Sequence, residues 1–187
     1  EHQFVVVEFH ADAAEDIPAG CVSAVEDEKI SALAIRYAGI VHEWYGECEV
    51  TAELLDDGGV ATEKVRFADA VSFIILKALA FDQRNENKDA GDLIHVMRYA
   101  HEGDVSIVAE AFRKRMAEGK HVDAIQEALV VLNNRFCDGE KVEGFRRDGS
   151  VACVNFMLDA SATTDVRIRE QRYVSALVTE FLRLVRQ

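Results

Sequence analysis

A single lysine interrupts the most apolar stretch of the chain. Ala70-Val-Ser-Phe-Ile-Ile-Leu-Lys-Ala-Leu-Ala-Phe81 carries no charge other than Lys77, and a helix that is apolar nearly all round is a buried helix. An ammonium taken out of water is costly unless it is paired or its stem reaches solvent, so Lys77 requires a carboxylate, a ligand phosphate or a route outward. Arg84 follows seven residues on, which is two turns later on the same helix face. Lys88, Asp89 and Asp92 come next, the two acids forming an i, i+3 pair at the start of a second helix. Two chemistries fit these residue types. Lys77 can pair with Asp89 or Asp92 and lock two helices together, or Lys77 and Arg84 can receive an anion. The residues alone leave both open.

Other constellations offer less. The histidines (His2, His10, His42, His95, His101 and His121) include no His-x-x-x-His pair, and none stands at metal-ligand spacing from a cysteine. Cys21, Cys48, Cys137 and Cys153 form no C-x-x-C and read as reduced core residues. There is no Gly-x-Ser-x-Gly elbow, dinucleotide-binding glycine pattern or phosphate loop. Arg113-Lys114-Arg115 and Arg146-Arg147 are small basic clusters that read as solvated faces or loops. The formal charge of -13 disfavours non-specific nucleic-acid binding. That charge is uneven: residues 1–68 hold 15 acids against four bases, a balance of -11, leaving -2 for the rest. With 187 residues, 49% of them hydrophobic, the chain can bury a real core. No stretch reads as a membrane helix or a secretory signal, so a cytoplasmic location and no membrane partner are expected.

The positioning elements divide at about residue 68. Residues 4–9 (Phe-Val-Val-Val-Glu-Phe) are β-branched and strand-like, and residues 47–67 read as two strands around Asp56-Asp57-Gly58-Gly59. From Asp69 the period becomes helical. Helices are expected over 70–81, 88–100, 105–116 with Asp104 as N-cap, and 122–132. A charged loop should fill 139–150, and a last helix, capped by Thr164 or Asp165, should run to Arg186 with Tyr173, Leu177, Phe181 and Leu184 as its buried stripe. The expected class is α+β: an acidic, β-rich part over 1–68 and a helical region over 69–187.

The string from Phe73 to Leu93, with Lys77, Arg84 and Lys88-Asp89-Ala-Gly-Asp92-Leu93, resembles the lysine, arginine and K-D-x-x-D-L motif of the AbiEii-type nucleotidyltransferase-like proteins, some of them toxins of toxin-antitoxin or phage-defence pairs. The resemblance runs from the hairpin ending Val65-Arg66-Phe67 to about Phe136. It implies a partial nucleotidyltransferase sheet followed by helices, with Lys77, Arg84 and Lys88 on a nucleoside triphosphate and Asp89 and Asp92 bracing a catalytic site. It also implies Mg2+, which such a fold holds through Gly-Ser, Asp-x-Asp and a third carboxylate. This chain has no such Asp-x-Asp. Its one Gly-Ser, Gly149-Ser150, precedes only a lone Asp159. Glu8 stands where the third carboxylate would be, or is a solvent-facing strand end. The chain therefore reads as lacking the family's first strands. As a complete enzyme it would transfer a nucleotidyl group from a metal-bound triphosphate to RNA or protein, and alone it is expected to be inactive. The alternative is a non-catalytic module whose acidic half binds a basic partner such as an antitoxin. Self-association through residues 4–9 is also expected.

Overall fold

A computed structural model describes residues 9–13, 19–24, 31–54 and 58–187. The chain falls into two compact units, Glu1–Glu43 and Trp44–Gln187. In the first, β1 (His10–Asp12), β2 (Val22–Ala24) and β3 (Ser31–Ile35) make a small sheet with β3 in the middle, parallel to β1 and antiparallel to β2. Strand β3 alternates as a half-buried strand should, hiding Ala32 and Ala34. A short α1 (Ile40–Glu43) closes the unit. The expected strand over residues 4–9 lies outside the described residues except for Phe9, whose carbonyl accepts the Leu33 amide at 2.9 Å.

The second unit opens with a long antiparallel hairpin, β4 (Tyr45–Glu53) and β5 (Val60–Ala68), paired in register from Tyr45↔Ala68 to Glu53↔Val60. Six helices follow: α2 (Ala70–Arg84), α3 (Asn87–Tyr99), α4 (Val105–Ala117), α5 (Val122–Phe136), α6 (Asp148–Met157) and α7 (Thr164–Val185). The α+β class with a mostly helical C-terminal region is what the structure has. Helix α2 packs on α3 and α5, α3 on α6, and α4 on α7. Ile74, Ile75, Leu93, Ile94 and Leu132 fill the middle, and the Phe112 and Phe181 rings meet edge to face at 5.0 Å.

The hairpin is fastened at its base. Trp44, 1% exposed, stands just before β4. Its carbonyl accepts from the Ser72 hydroxyl at 2.8 Å, and its ring lies under the Arg115 guanidinium at 5.1 Å. Arg115 in turn holds Asp69 at 3.1 Å, and Asp69 caps α2 by accepting the Ser72 amide at 2.8 Å. One junction therefore fixes the strand start, the helix start and α4 together.

Four expectations need correcting. Residues 139–150 are not all loop: a 3-10 turn covers Gly144–Arg146 and α6 begins at Asp148. Glycines and charges suggested a break there, but Gly149 is a packing residue, since a Cβ on it would stand 2.7 Å from the Arg135 carbonyl oxygen. The stripe on α7 is turned by about one residue, burying Val174, Val178, Phe181, Leu182 and Val185, because Tyr173 faces out under the Arg98 guanidinium at 4.6 Å. The N-cap of α7 is Thr163, one residue early, with no side-chain capping bond. Of the cysteines, all free, only Cys137 and Cys153 are buried; Cys21 and Cys48 are exposed. Asp104 does cap α4, accepting the Ser106 amide at 2.9 Å.

Candidate functional site

Helices α2 and α3 are joined by two residues, with Asn85 left-handed at φ 52° and its amide bonded to the Phe81 carbonyl. This tight reversal lays the end of α2 against the start of α3. Lys77, Arg84, Lys88, Asp89 and Asp92 thereby meet in one network. The Lys77 ammonium donates to Asp89 Oδ1 at 3.0 Å and to Asp92 Oδ2 at 2.8 Å. Arg84 grips Asp89 with two prongs, Nε to Oδ2 at 2.7 Å and Nη2 to Oδ1 at 2.9 Å. Lys88 donates to Asp92 Oδ2 from the adjacent turn. Asp89 is the hub, its side chain 1% exposed, whereas that of Lys77 retains 21% and Arg84 and Lys88 face solvent. Gly91, between the two acids, lets α6 approach: a Cβ there would stand 2.2 Å from the Phe156 ring.

The electrostatics follow from this geometry. Burial works against the Lys77 ammonium, but its bonds to Asp92 and Asp89 outweigh burial and hold its pKa above the ordinary value. For Asp89 burial favours the neutral acid, and the Arg84 and Lys77 donors overcome it to leave the carboxyl more acidic than usual. Asp92 behaves alike under Lys77 and Lys88. Lys77, Asp89 and Asp92 are therefore charged at neutral pH, and the cluster sets three basic side chains against two acids. Both acids direct their oxygens at cations, which makes them poor magnesium ligands. Among the described residues, no three His, Cys, Asp or Glu side chains converge to hold a metal, and Glu8 lies outside those residues.

Of the remaining candidates, Ser150 is buried and donates to the Gly144 carbonyl at 2.9 Å. The 113–115 basic cluster is dispersed: Arg113 donates to the Leu184 carbonyl at 2.7 Å, while Arg115 serves the Trp44 junction.

The hairpin is a feature that residue types alone did not single out. On one face Glu47 pairs with Arg66 at 3.0 Å and Lys64 at 3.6 Å, and the Thr51 and Thr62 hydroxyls meet at 2.8 Å. The opposite face carries Cys48 across from Val65, Val50 across from Glu63 and Ala52 across from Ala61, with Phe67 lying over Gly46. Phe67 is 51% exposed, and Val50 and Val65 are exposed too. Alternation in the sequence carried this signal, since Cys48, Val50 and Ala52 occupy every second position. Comparison with known protein families, curated proteins and solved structures finds no match.

Proposed function

We propose that this chain is a non-catalytic interaction module whose hairpin β4–β5 receives a basic, amphipathic segment of a partner protein. The observation that carries this reading is the exposed apolar face formed by Cys48, Val50, Val65 and Phe67 on a two-stranded sheet. A hairpin of this kind gains most from an added strand or a covering segment, which pairs its free edge and removes apolar surface from water. The charge of the occupant follows from the hairpin's own. Residues 45–68 contain six acids and two bases, and Glu63 stands within the apolar face itself, so a cationic partner is favoured.

The test uses a defined probe, a ten-residue peptide alternating lysine with valine or leucine, and a glutamate counterpart as control. Chemical-shift changes should fall on residues 45–68 with the cationic peptide, weaken with salt, and vanish in Phe67→Asp. Equal response to both peptides, or changes confined elsewhere, would reject the reading.

The second reading is the nucleotidyltransferase one, with a nucleoside triphosphate as ligand and magnesium as its companion. It is favoured by the convergence of Lys77, Arg84, Lys88, Asp89 and Asp92 in one cluster. With both acids committed to cations, the expected outcome is no magnesium-dependent labelling of RNA or protein by the purified chain. Reproducible labelling from a radiolabelled triphosphate would promote this reading over the first.

A further inference from the structure

Arg147 is a half-buried guanidinium that makes no hydrogen bond or ion pair among the described residues, and its Nε is shielded from solvent with no acceptor among them. Buried donors are nearly always satisfied, and an orphaned one on a charged group is expensive. The side chain is held where it is by packing: a Cβ on Gly139 would stand 1.8 Å from Arg147 Nη2. It lines an open depression of about 500 Å³ shared with Asp82 at the end of α2, Arg135 on α5, Arg146, and Asp148 at the start of α6.

The charges in this depression are unevenly committed. Arg135 takes both acids, Asp82 at 2.9 Å and Asp148. Among the described residues Arg146 has only Glu143 as an ion-pair partner, at 3.4 Å between two side chains more than 60% exposed, a pair of little strength that a stronger anion can displace. The Arg146–Arg147 side of the depression is left with excess positive charge in a chain whose formal net charge is -13.

We infer that this depression is a binding site for a small phosphate-type oxyanion, with Arg147 as its anchor and Arg146 as its second donor. A guanidinium fork matches the spacing of phosphate oxygens and binds them with two parallel hydrogen bonds. The shielded Nε stays out of reach, and the Arg147 Nη groups, which have no acceptor among the described residues and line the depression, are the donors that the ligand meets. The volume exceeds that of a bare phosphate and accommodates a phosphomonoester with its organic group outward. The site is built from α2, α5, α6 and the 137–147 segment, and it depends neither on the hairpin reading nor on the Lys77 cluster.

Calorimetric titration of the whole chain with orthophosphate, pyrophosphate and a nucleoside 5′-monophosphate tests this. Saturable binding is expected, weakened about tenfold or more in Arg147→Gln and severalfold in Arg146→Gln. A monophosphate that binds more tightly than orthophosphate identifies a phosphomonoester as the ligand; equal affinity identifies free phosphate. Arg147→Lys keeps the charge without the fork and should recover only part of the affinity. Because a substitution at Arg147 can disturb folding, amide shifts in the wild-type chain are read in parallel, and they should move at residues 134–149 with phosphate. No saturable binding by any of the three anions would overturn the inference. So would binding that survives Arg147→Gln but is lost in Lys88→Gln, since that would place the anion at the other cluster.

Discussion

Asp89 carries more of the helix pairing than Lys77 does, although Lys77 is the residue that draws attention in the sequence. Removing Lys77 as Lys77→Met leaves Asp89 in the Arg84 fork and Asp92 on Lys88, and the methionine stem still fills the apolar groove. That variant should stay within about 1 kcal/mol of wild type in urea unfolding. Asp89→Asn takes the charge out of three bonds at the buried hub and turns one acceptor oxygen into an amide donor facing cations, and should cost about 3 kcal/mol. The pH dependence has a defined sign. Both acids are more acidic folded than at their ordinary value of 3.8, so their stabilisation is complete above that value and is lost as pH falls through the lowered one. Lys77 is raised above 10.5, so its share is complete below that pH and is lost as pH rises through the folded value. The stability gap between wild type and Asp89→Asn should therefore be flat from about pH 5 to about pH 9 and close below about pH 4. At this scale the sequence was informative: a lone charge in an apolar run demands a partner, and the nearest acids supplied it. Arg147 was not legible, because an unsatisfied guanidinium is a property of three-dimensional surroundings and nothing in Arg146-Arg147 distinguishes it from a solvated pair.

Among the elements, the long helices were readable from their period and α4 also from its cap, as Asp104 shows by accepting the Ser106 amide; the capping of α2 by Asp69 is found only in the structure. Helix α6 was not, because its glycine and serine serve packing and a buried hydroxyl bond, roles that composition cannot tell from a loop. The turned stripe of α7 has a similar origin: Tyr173 has the hydrophobicity of a core residue, but a phenol stacked under Arg98 is as well placed at the surface. The hairpin was legible as two strands, yet its dependence on Trp44 was not, since the contact joins residues 44, 69, 72 and 115 across long sequence separations. Trp44→Ala should destabilise the chain by about 3–5 kcal/mol. In hydrogen exchange, the amides of β4 and β5 nearest the base should lose protection first, while those in the middle of α5 keep theirs relative to the global unfolding limit.

At the scale of the molecule, the negative charge gathers in the first 68 residues while the hydrophobic core gathers in the helices. The hairpin stands at the meeting of those two tendencies. It belongs to the same compact unit as the helices, it carries acids, and it presents Val50, Val65 and Phe67 to solvent. No described helix is long and apolar enough to cross a membrane. Contiguous exposed apolar surface on a folded domain marks a place where something binds, and here a thiol sits in the middle of it. Cys48 is exposed on that face, Cys21 is exposed in the other unit, and Cys153 is buried with its thiol pushed up to about 12 by burial. The most direct measurement is the rate at which a thiol reagent modifies Cys48, with Cys21 as the reference, in the chain alone and with the cationic amphipathic peptide. The account predicts that the peptide slows Cys48 severalfold, leaves Cys21 unchanged, and has no such effect in Phe67→Asp. Unchanged modification of Cys48 at saturating peptide, or equal slowing of both cysteines, would contradict it.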